Sequence, residues 1–430
     1  MSVSFMPVRS SQEDLESIQL QGLQWTVSHA HQNSPFYRSK MEAAGVGPEQ
    51  IRTLDDIRRL PFTSADDLQA NYPFPLRSVP FEKIVRIHAS SGTTGKRKVL
   101  CYTQKDIDDW ATMFARCFEI AGLTQRDRVQ IGVGYGLWTA GVGFQLGCER
   151  FGAMAIPVGP ANTEMHCQLL VDMQSTVFCA TASMALLISE EIERRGLQKE
   201  LALKKIIFGA ERHSKRMRER IQEITGVEHM FDIPGLTELY GPGSGLECTA
   251  HQGVHYWADY YILEVLNPDT LEPAAPGEIG EMVVTTLRKE AAPLIRYRTR
   301  DLTRLIPGDC PCGNPLPRHD HLLGRSDDMF IFRAVNIYPG QIDHVLSHMH
   351  GVASEYQVHL SHKEDGRDQM LIKVERAMGA SPERDKALAD EVAAEIRKHI
   401  LVRTHVEIMD YGALPRTERK SKRVIDSRTD

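Results

Sequence analysis

The most informative stretch of this chain is Ser90-Ser91-Gly92-Thr93-Thr94-Gly95-Lys96, which lies between the strand-like run 84–88 and the apolar run 99–103. Its glycines allow the backbone to approach a ligand closely, and its hydroxyls and lysine can surround phosphate oxygens. The spacing of the glycines and the lysine differs from that of a P-loop. The segment therefore predicts a phosphate-binding loop, and the alternative is an ordinary hairpin turn of small residues.

Strand-like and helical segments alternate around this loop and beyond it. The predicted strands are 84–88, 129–133, 154–157, 177–180 and 206–208, and the predicted helices lie near 105–122, 139–151, 163–173, 183–195 and 214–224. Such alternation predicts an α/β fold with a mainly parallel sheet that is covered by helices. Sheets of this kind bind ligands at the carboxyl ends of their strands.

The rest of the chain has two further patterns. Residues 253–306 contain strand-like runs separated by turns, which predicts an antiparallel or barrel-like β piece. The part after Gly324 mixes strands and helices in an α+β pattern. We therefore expect a large domain over 1–324 and a small domain over 325–430.

Composition restricts the class of protein. The chain has 430 residues, of which 42% are hydrophobic and 25% charged, and this excludes a disordered or fibrous protein. The formal net charge of -6 argues against a nucleic-acid partner. The sequence shows neither a membrane-spanning stretch nor a signal-peptide pattern, so we expect no membrane partner and a cytoplasmic location with reduced thiols.

The segment 88–96 resembles the nucleotide-binding loop of adenylate-forming enzymes. Other segments resemble, in the same order, the phenylacetate–CoA ligase branch of that superfamily. These segments are Asn33-Ser34-Pro35-Phe36-Tyr37, Leu60-Pro61-Phe62-Thr63, Asn71-Tyr72-Pro73-Phe74, Tyr135-Gly136-Leu137-Trp138-Thr139, Gly209-Ala210-Glu211, Gly235-Leu236-Thr237-Glu238, Arg296-Tyr297-Arg298-Thr299-Arg300-Asp301, Gly324-Arg325-Ser326-Asp327-Asp328, and Leu414-Pro415-Arg416-Thr417 with Lys420. The ordered set spans nearly the whole chain and makes the resemblance specific.

The resemblance implies a two-step reaction that forms an acyl-adenylate from ATP and then a thioester with coenzyme A. Transfer at phosphorus builds negative charge, so the site needs cations and oriented hydrogen-bond donors. Thr237 is expected at the α-phosphate, and Glu238 is expected to hold Mg²⁺. The β- and γ-phosphates are expected on the loop residues Ser90, Ser91, Gly92, Thr93, Thr94, Gly95 and Lys96.

The resemblance also implies residues for the nucleoside and for domain motion. Asp301 is expected to accept hydrogen bonds from the ribose hydroxyls, with Arg325 assisting. Lys420 is expected to stabilise charge during adenylation, and Asp327 falls at the hinge of a mobile small domain. The adenine is expected to lie against Gly209, Ala210, Glu211, Asp232 and Pro234. The alternatives are a surface acid at 301, a solvated turn at 325–327 and a solvated basic run around 420.

The acid substrate is expected near the glycine-rich, aromatic segment that begins at Tyr135. Such a wall suits a flat aryl ring, and phenylacetate or a close aromatic acid is the leading candidate. The alternative for its two aromatic residues is core packing. The residues expected at the acid are Tyr135, Gly136, Trp138, Ala140, Gly141 and Gly235.

Three positions differ from the pattern of the branch. Pro234 replaces a tyrosine that stacks on adenine, and Arg419 replaces the glycine before the catalytic lysine. Ala334 replaces a glycine beside the pantetheine tunnel. Two alternatives therefore stay open: an adenylating enzyme that uses a non-CoA acceptor such as an amine, and a nucleotide-binding regulatory protein without catalysis.

A group of cysteines and a histidine predicts a structural zinc site. Cys310 and Cys312 form a tight pair, and Cys248 lies earlier with His255 close behind it. Three thiolates and one imidazole make a closed tetrahedral site. Some members of the branch carry such a centre, and the resemblance favours His255 over His251 because the histidine of the matching Gly-x-His segment falls at 255. The alternative is a set of reduced cysteines without metal. A homodimer is also implied as possible by the resemblance.

Overall fold

The computed structural model describes residues 4–7, 12–90, 97–137, 139–210, 213, 215–333, 335–362, 368–415 and 423–428. Backbone contacts divide the chain into two compact units. The first unit comprises 1–180, 201–210 and 229–322, and the second comprises 181–200, 211–228 and 323–430. The expected domain boundary at 324/325 lies close to the boundary between the two units at 322/323. The sequence analysis did not expect residues 181–200 and 211–228 to belong to the second unit.

The first unit contains both helices and strands. Its helices are α1 (Gln12–Asn33), α2 (Pro35–Ala43), α3 (Ala65–Ala70), α4 (Gln104–Ile120), α5 (Ala140–Phe151) and α6 (Thr163–Asp172). Its strands are β1 (Arg86–Ala89), β2 (Val99–Tyr102), β3 (Arg128–Ile131), β4 (Met154–Ile156), β5 (Val177–Thr181), β6 (Lys205–Gly209), β7 (His229–Ile233), β8 (Gly235–Leu236), β9 (Gly241–Pro242), β10 (Gly245–Glu247), β11 (Val254–Tyr256), β12 (Tyr261–Leu266), β13 (Gly280–Thr286), β14 (Tyr297–Thr303), β15 (Leu305–Ile306) and β16 (Arg318–His319).

A five-stranded sheet forms the centre of the first unit, in the order β4-β3-β5-β6-β7. The pairings β3–β4, β3–β5 and β6–β7 are parallel. Its apolar residues, such as Val129, Ile207 and Phe231, are fully buried, as expected for a sheet that is covered on both faces. The predicted α/β fold with a mainly parallel sheet is therefore confirmed.

The two strands that frame the predicted phosphate loop form a separate antiparallel hairpin. Strand β1 pairs with β2, from Arg86 opposite Tyr102 to Ala89 opposite Val99. The sequence analysis counted the predicted strand 84–88 among the strands of the mainly parallel sheet. That placement is wrong, because β1 lies in the separate hairpin. The two edge strands of the five-stranded sheet are β4 and β7, and β7 was not predicted.

The β piece of the first unit is antiparallel, as predicted. Strands β12, β13 and β14 pair in sequence order, and a second sheet has the order β10-β11-β16-β15. Buried ion pairs join neighbouring segments of this piece, including Arg298 with Glu281 (2.7 Å) and Arg296 with Glu264 (2.9 Å). This scaffold carries the polar side chains described below.

The second unit has the α+β character that was predicted for the C-terminal part. Its elements are α7 (Ala182–Arg195), α8 (Lys215–Thr225), β17 (Gly324–Arg325), β18 (Phe330–Phe332), β19 (Val335–Ile337), α9 (Pro339–Ser347), β20 (Val352–His362), β21 (Asp368–Arg376), α10 (Asp385–Ile400), β22 (His405–Met409) and β23 (Val424–Asp426). Strands β20 and β21 are antiparallel to each other, and β22 and β23 flank them in parallel pairings. Across the described ranges of both units, no helix is long and apolar enough to cross a bilayer.

Candidate active site and metal centre

The carboxyl ends of β6 and β7 carry four of the predicted nucleotide residues. Gly209 pairs with Ile233 at the last register position, and a Cβ atom at Gly209 would lie 2.2 Å from the Ile233 carbonyl oxygen. Only glycine therefore fits at this close approach. Ala210, Asp232 and Pro234 lie at the same edge of the sheet, and Glu211 lies outside the described residues.

A short hairpin, β8–β9, presents Thr237 and Glu238. Gly235 pairs with Pro242 at its base, and a Cβ atom at Gly235 would come within 2.7 Å of the Pro242 Cα atom. The Tyr102 hydroxyl donates a hydrogen bond to the Thr237 carbonyl oxygen (3.1 Å). The close pairing within the hairpin and the hydrogen bond from Tyr102 therefore fix the position of the hairpin relative to strand β2.

Glu238 is a buried carboxylate with 1% of its surface exposed. Lys98 forms an ion pair with it, and the Tyr297 hydroxyl donates a hydrogen bond to its Oε1 atom (2.8 Å). Burial alone would raise the pKa of Glu238, but the Lys98 ammonium and the Tyr297 hydroxyl together hold that pKa below its usual value. Glu238 is therefore ionised at neutral pH, and its predicted role as a Mg²⁺ ligand stays a prediction.

A second buried cation, Lys289, lies beneath the same hairpin. Its ammonium donates to the Glu238 carbonyl oxygen (2.8 Å) and stands 4.5 Å from the centre of the Tyr102 ring and 5.1 Å from that of Tyr240. Burial lowers the pKa of Lys289 to about 8. Sequence analysis assigned no role to Lys98, Tyr297 or Lys289. The sequence offered one signal for Lys98, namely a charged residue directly before the buried strand β2.

The base of the predicted phosphate loop is closed by backbone pairing. The Ser90 N–H donates to the Lys98 carbonyl oxygen (3.1 Å), and the Lys98 N–H donates to the Ser90 hydroxyl (3.2 Å). Of the seven predicted loop residues, the structure describes Ser90 alone. Ser91, Gly92, Thr93, Thr94, Gly95 and Lys96 lie outside the described part of the chain.

A small apolar cavity adjoins Thr237 and includes two of the residues predicted for the acid, Ala140 and Gly235. Its volume is about 30 Å³, which is room for about two water molecules. An aryl ring would have to widen the cavity to enter it. The lining residues are Val133, Ala140, Phe144, Ala180, Gly209, Ala210, Ile233, Gly235, Thr237 and Pro242.

Of the other predicted acid-site residues, the structure describes Tyr135, Gly136 and Gly141. A Cβ atom at Gly141 would lie 2.5 Å from the Tyr135 ring, so this glycine allows the ring its position. The Tyr135 hydroxyl is buried and has no hydrogen-bond partner among the described residues. A Cβ atom at Gly136 would meet open space, and Trp138 lies outside the described part of the chain.

The residues predicted at the ribose and the hinge lie in different units. Asp301 is on β14 in the first unit, and its N–H donates to the Thr299 hydroxyl (3.0 Å). In the second unit the Arg325 guanidinium pairs with both carboxylate oxygens of Asp327, at 2.8 and 2.9 Å. Lys420 lies outside the described residues. The roles predicted for these residues stay predictions.

Four side chains converge in the first unit to form a cluster that suits a metal ion. The Sγ atoms of Cys248 and Cys310 lie 3.5 Å apart, and Cys312 Sγ lies 3.3 Å from His255 Nε2. All four candidate ligand atoms lie within 4.8 Å of one another, close to the roughly 3.8 Å edges of a tetrahedron with Zn–S bonds of about 2.3 Å. The donor set and spacing therefore fit zinc.

The surroundings of the cluster orient its histidine. His255 is fully buried, and its Nδ1–H donates to the Leu316 carbonyl oxygen (2.8 Å), which leaves Nε2 facing the thiols. This arrangement is typical of zinc-binding histidines. His251 instead bonds to the Glu247 carboxylate (3.0 Å) and is not part of the cluster.

The fold and this edge of the sheet define an adenylate-forming class of enzyme. Residues 32–287 match the model of the AMP-binding enzyme family, and residues 334–428 match that of the AMP-binding enzyme C-terminal domain. The chain belongs to the AMP-binding enzyme family and, within it, to the phenylacetate–CoA ligase branch, whose members are AMP-forming acid–CoA ligases.

Several proteins are similar over nearly the full chain. The phenylacetate–coenzyme A ligase of Escherichia coli strain K12 is 41% identical, covering 97% of this chain and 96% of that relative. The enzyme of the same name from Thermus thermophilus is 38% identical, covering 97% of each chain. A structure of 2-hydroxyisobutyryl-CoA ligase with R3-HIB-AMP has a TM-score of 0.87 at 26% identity, covering 99% of this chain and 94% of that one.

Proposed function

We propose that this ligase activates an aryl carboxylic acid of the phenylacetate type with ATP and transfers the acyl group to coenzyme A. One observation carries the proposal. The hairpin β8–β9 places Thr237 on the wall of an apolar cavity, while the next residue, Glu238, is a buried and ionised carboxylate. An apolar acid at Thr237 would then lie next to a carboxylate that can hold the Mg²⁺ of the nucleotide.

In the first half-reaction, a carboxylate oxygen of the acid bonds to the α-phosphorus of ATP, and the bond to pyrophosphate breaks. Thr237 would donate to the α-phosphate, and Glu238 would hold Mg²⁺. Mg²⁺, when bound, neutralises charge on the phosphate oxygens. Lys98 already supplies one cation next to Glu238, and the loop 90–96 with Lys420 would supply the other donors.

The nucleoside would lie along the edge formed by β6 and β7. Gly209 and Ala210 would border the adenine, with Asp232 and Pro234 on the neighbouring strand. Asp301 would contact the ribose, and the assistance of Arg325 stays a prediction from the resemblance. The pyrrolidine ring of Pro234 covers less of a base than the tyrosine that the branch usually has at this position, so we expect weaker stacking on adenine.

The aryl preference rests on the cavity and on the relatives. The cavity lining is apolar except for Thr237, which suits an acid with an apolar body. The relatives named above are phenylacetate–CoA ligases, whereas the similar solved structure holds the adenylate of a hydroxy acid. A panel that includes both acid types therefore distinguishes the two preferences.

In the second half-reaction, the thiol of coenzyme A bonds to the acyl carbon and AMP leaves. A basic surface cavity of about 430 Å³ in the second unit supports coenzyme A, because its phosphates need such charges. Three arginines line this cavity, namely Arg333, Arg397 and Arg403. A non-CoA acceptor such as an amine is the alternative, motivated by Ala334.

We propose a structural zinc ion at Cys248, His255, Cys310 and Cys312. It would tie the segment 248–255 to the turn at 310–312 and stabilise this part of the first unit. The domain hinge at Asp327, the possible homodimer and the cytoplasmic location stay predictions.

ATP–pyrophosphate exchange over a panel of aryl, aliphatic and hydroxy acids tests the proposed adenylation. We expect exchange with phenylacetate-type acids and much less with short aliphatic acids. Exchange that is fastest with a small hydroxy acid would reject the aryl preference. Absence of exchange with every acid would favour the regulatory alternative.

A further inference from the structure

A series of polar side chains connects the proposed zinc centre with the nucleotide edge of the sheet. It comprises Asp232 on β7, Glu247 at the end of β10, His251, and His321 just after β16. Glu247 directly precedes Cys248. All of these residues belong to the first unit.

Glu247 is the buried centre of this series, with 1% of its surface exposed. Its Oε2 atom accepts a hydrogen bond from the Asp232 backbone N–H (2.8 Å). Its Oε1 atom lies 3.0 Å from His251 Nδ1 and 3.7 Å from His321 Nε2. Contacts to both oxygens fix the carboxylate, and the carboxylate in turn fixes the backbone of β7 at Asp232.

His321 holds the side chain of Asp232. Its Nδ1 atom donates to Asp232 Oδ2 at 3.0 Å. The His321 backbone N–H donates to Asp320 Oδ1 (2.8 Å), and Arg304 holds the other oxygen of Asp320 (2.9 Å). The imidazole is therefore anchored through its own backbone as well as through Glu247. A carboxylate can accept about four hydrogen bonds in total, so a bond from a histidine does not exclude a bond from a ligand.

We propose that His321 is a positioning residue that aims the Asp232 carboxylate at the exocyclic amine of adenine. The inference rests on the proposed function, which puts the base at this edge of the sheet. Glu247 holds the backbone of the same residue, because it accepts the hydrogen bond from the Asp232 N–H. A carboxylate accepts a hydrogen bond from the amine of adenine but faces an oxygen in hypoxanthine or guanine, so it discriminates against 6-oxopurines.

The test compares His321→Leu with His321→Asn, whose amide can still donate to Asp232. We expect His321→Leu to raise KM for ATP and the dissociation constant of AMP about tenfold, as for loss of a hydrogen bond to a charged group. The preference for ATP over ITP should fall by a similar factor, while KM for the acid is unchanged. His321→Asn should restore most of the nucleotide affinity.

His399→Leu is the matched control, since it removes another imidazole beside a carboxylate, Glu395, on α10 (3.2 Å). It should leave all nucleotide parameters unchanged. Unchanged ATP and AMP parameters in His321→Leu would overturn the inference. So would equal losses for ATP, ITP and the acid, or a loss of bound zinc, because either result indicates a merely structural role. A wild-type protein that binds neither ATP nor AMP would instead reject the proposed function itself.

Discussion

Replacement of Lys98 by methionine should lower the free energy of unfolding, because it leaves the buried charge of Glu238 without its ammonium partner. Lys98 forms the ion pair with this carboxylate, and the Lys98 side chain is 22% exposed whereas that of Glu238 is 2% exposed. Breaking a buried pair by removal of one partner costs about 3–5 kcal/mol. We expect the lower end, about 3 kcal/mol, because Lys98 is partly exposed and the Tyr297 hydroxyl still donates to Glu238.

The predicted loss is measured as a shift of the thermal unfolding midpoint. For a unit of this size, about 3 kcal/mol corresponds to a decrease of about 6 °C at pH 7. The double variant Lys98→Met/Glu238→Gln removes both charges and should recover much of the loss. Lys105→Met is the matched control, because Asp109 then keeps Arg288 as its partner (3.2 Å), and it should cost less than about 1 kcal/mol.

The pH dependence of stability gives a second test of the ion pair, because the wild type and Lys98→Met should respond differently to a fall in pH. In the wild type the pKa of Glu238 is lowered on folding, so the pair contributes stability above the unfolded pKa of about 4.3 and loses it as the pH falls through the folded value. In Lys98→Met burial should raise that pKa instead, so the deficit should shrink as the pH is lowered from 7 to 5. A deficit equal to that of Lys105→Met, with no dependence on pH, would refute the buried ion pair.

Three further predictions concern the metal, the acid and the nucleotide. Elemental analysis should find about one zinc per chain, and Cys312→Ser should lose most of it and lower the unfolding midpoint; metal-free protein that is fully folded would reject the zinc centre. Ala180→Val adds two methyl groups to the cavity of about 30 Å³, so kcat/KM for aryl acids should fall at least about tenfold while AMP affinity is kept. Glu238→Gln should raise the Mg²⁺ concentration needed for half-maximal exchange, and an unchanged requirement would remove Glu238 from the metal site.

The fold was largely predictable because hydrophobic periodicity dominates it. The strands β5 and β6 contain continuous buried apolar runs, at 177–180 and 206–208, and the structure places both strands in one sheet with β3. Strand β7 was missed because His229 and Asp232 interrupt its apolar run. The hairpin β1–β2 was misplaced because periodicity does not identify the partner of a short strand.

The candidate site was predictable only where a local motif carries it. The cysteine spacing led to the cluster with His255, which the structure shows. The motif around Thr237 and Glu238 singled out these two residues, but the sequence analysis did not predict the hairpin that presents them. The ion pair between Lys98 and Glu238 joins residues 140 positions apart, and tertiary packing alone brings them together. The same holds for the contacts of His321, which lies outside the segments that carry the resemblance and is 89 positions from Asp232.

Formation of an aryl-CoA thioester is the most direct test of the central claim. Purified protein is mixed with ATP, Mg²⁺, phenylacetate and coenzyme A, and AMP and the thioester are quantified together by chromatography and mass spectrometry. We predict that they form in equal amounts, and that omission of coenzyme A leaves only pyrophosphate exchange. Phenylacetyl-adenylate that forms but passes to an amine and never to coenzyme A would contradict the claim, as would a complete lack of AMP formation.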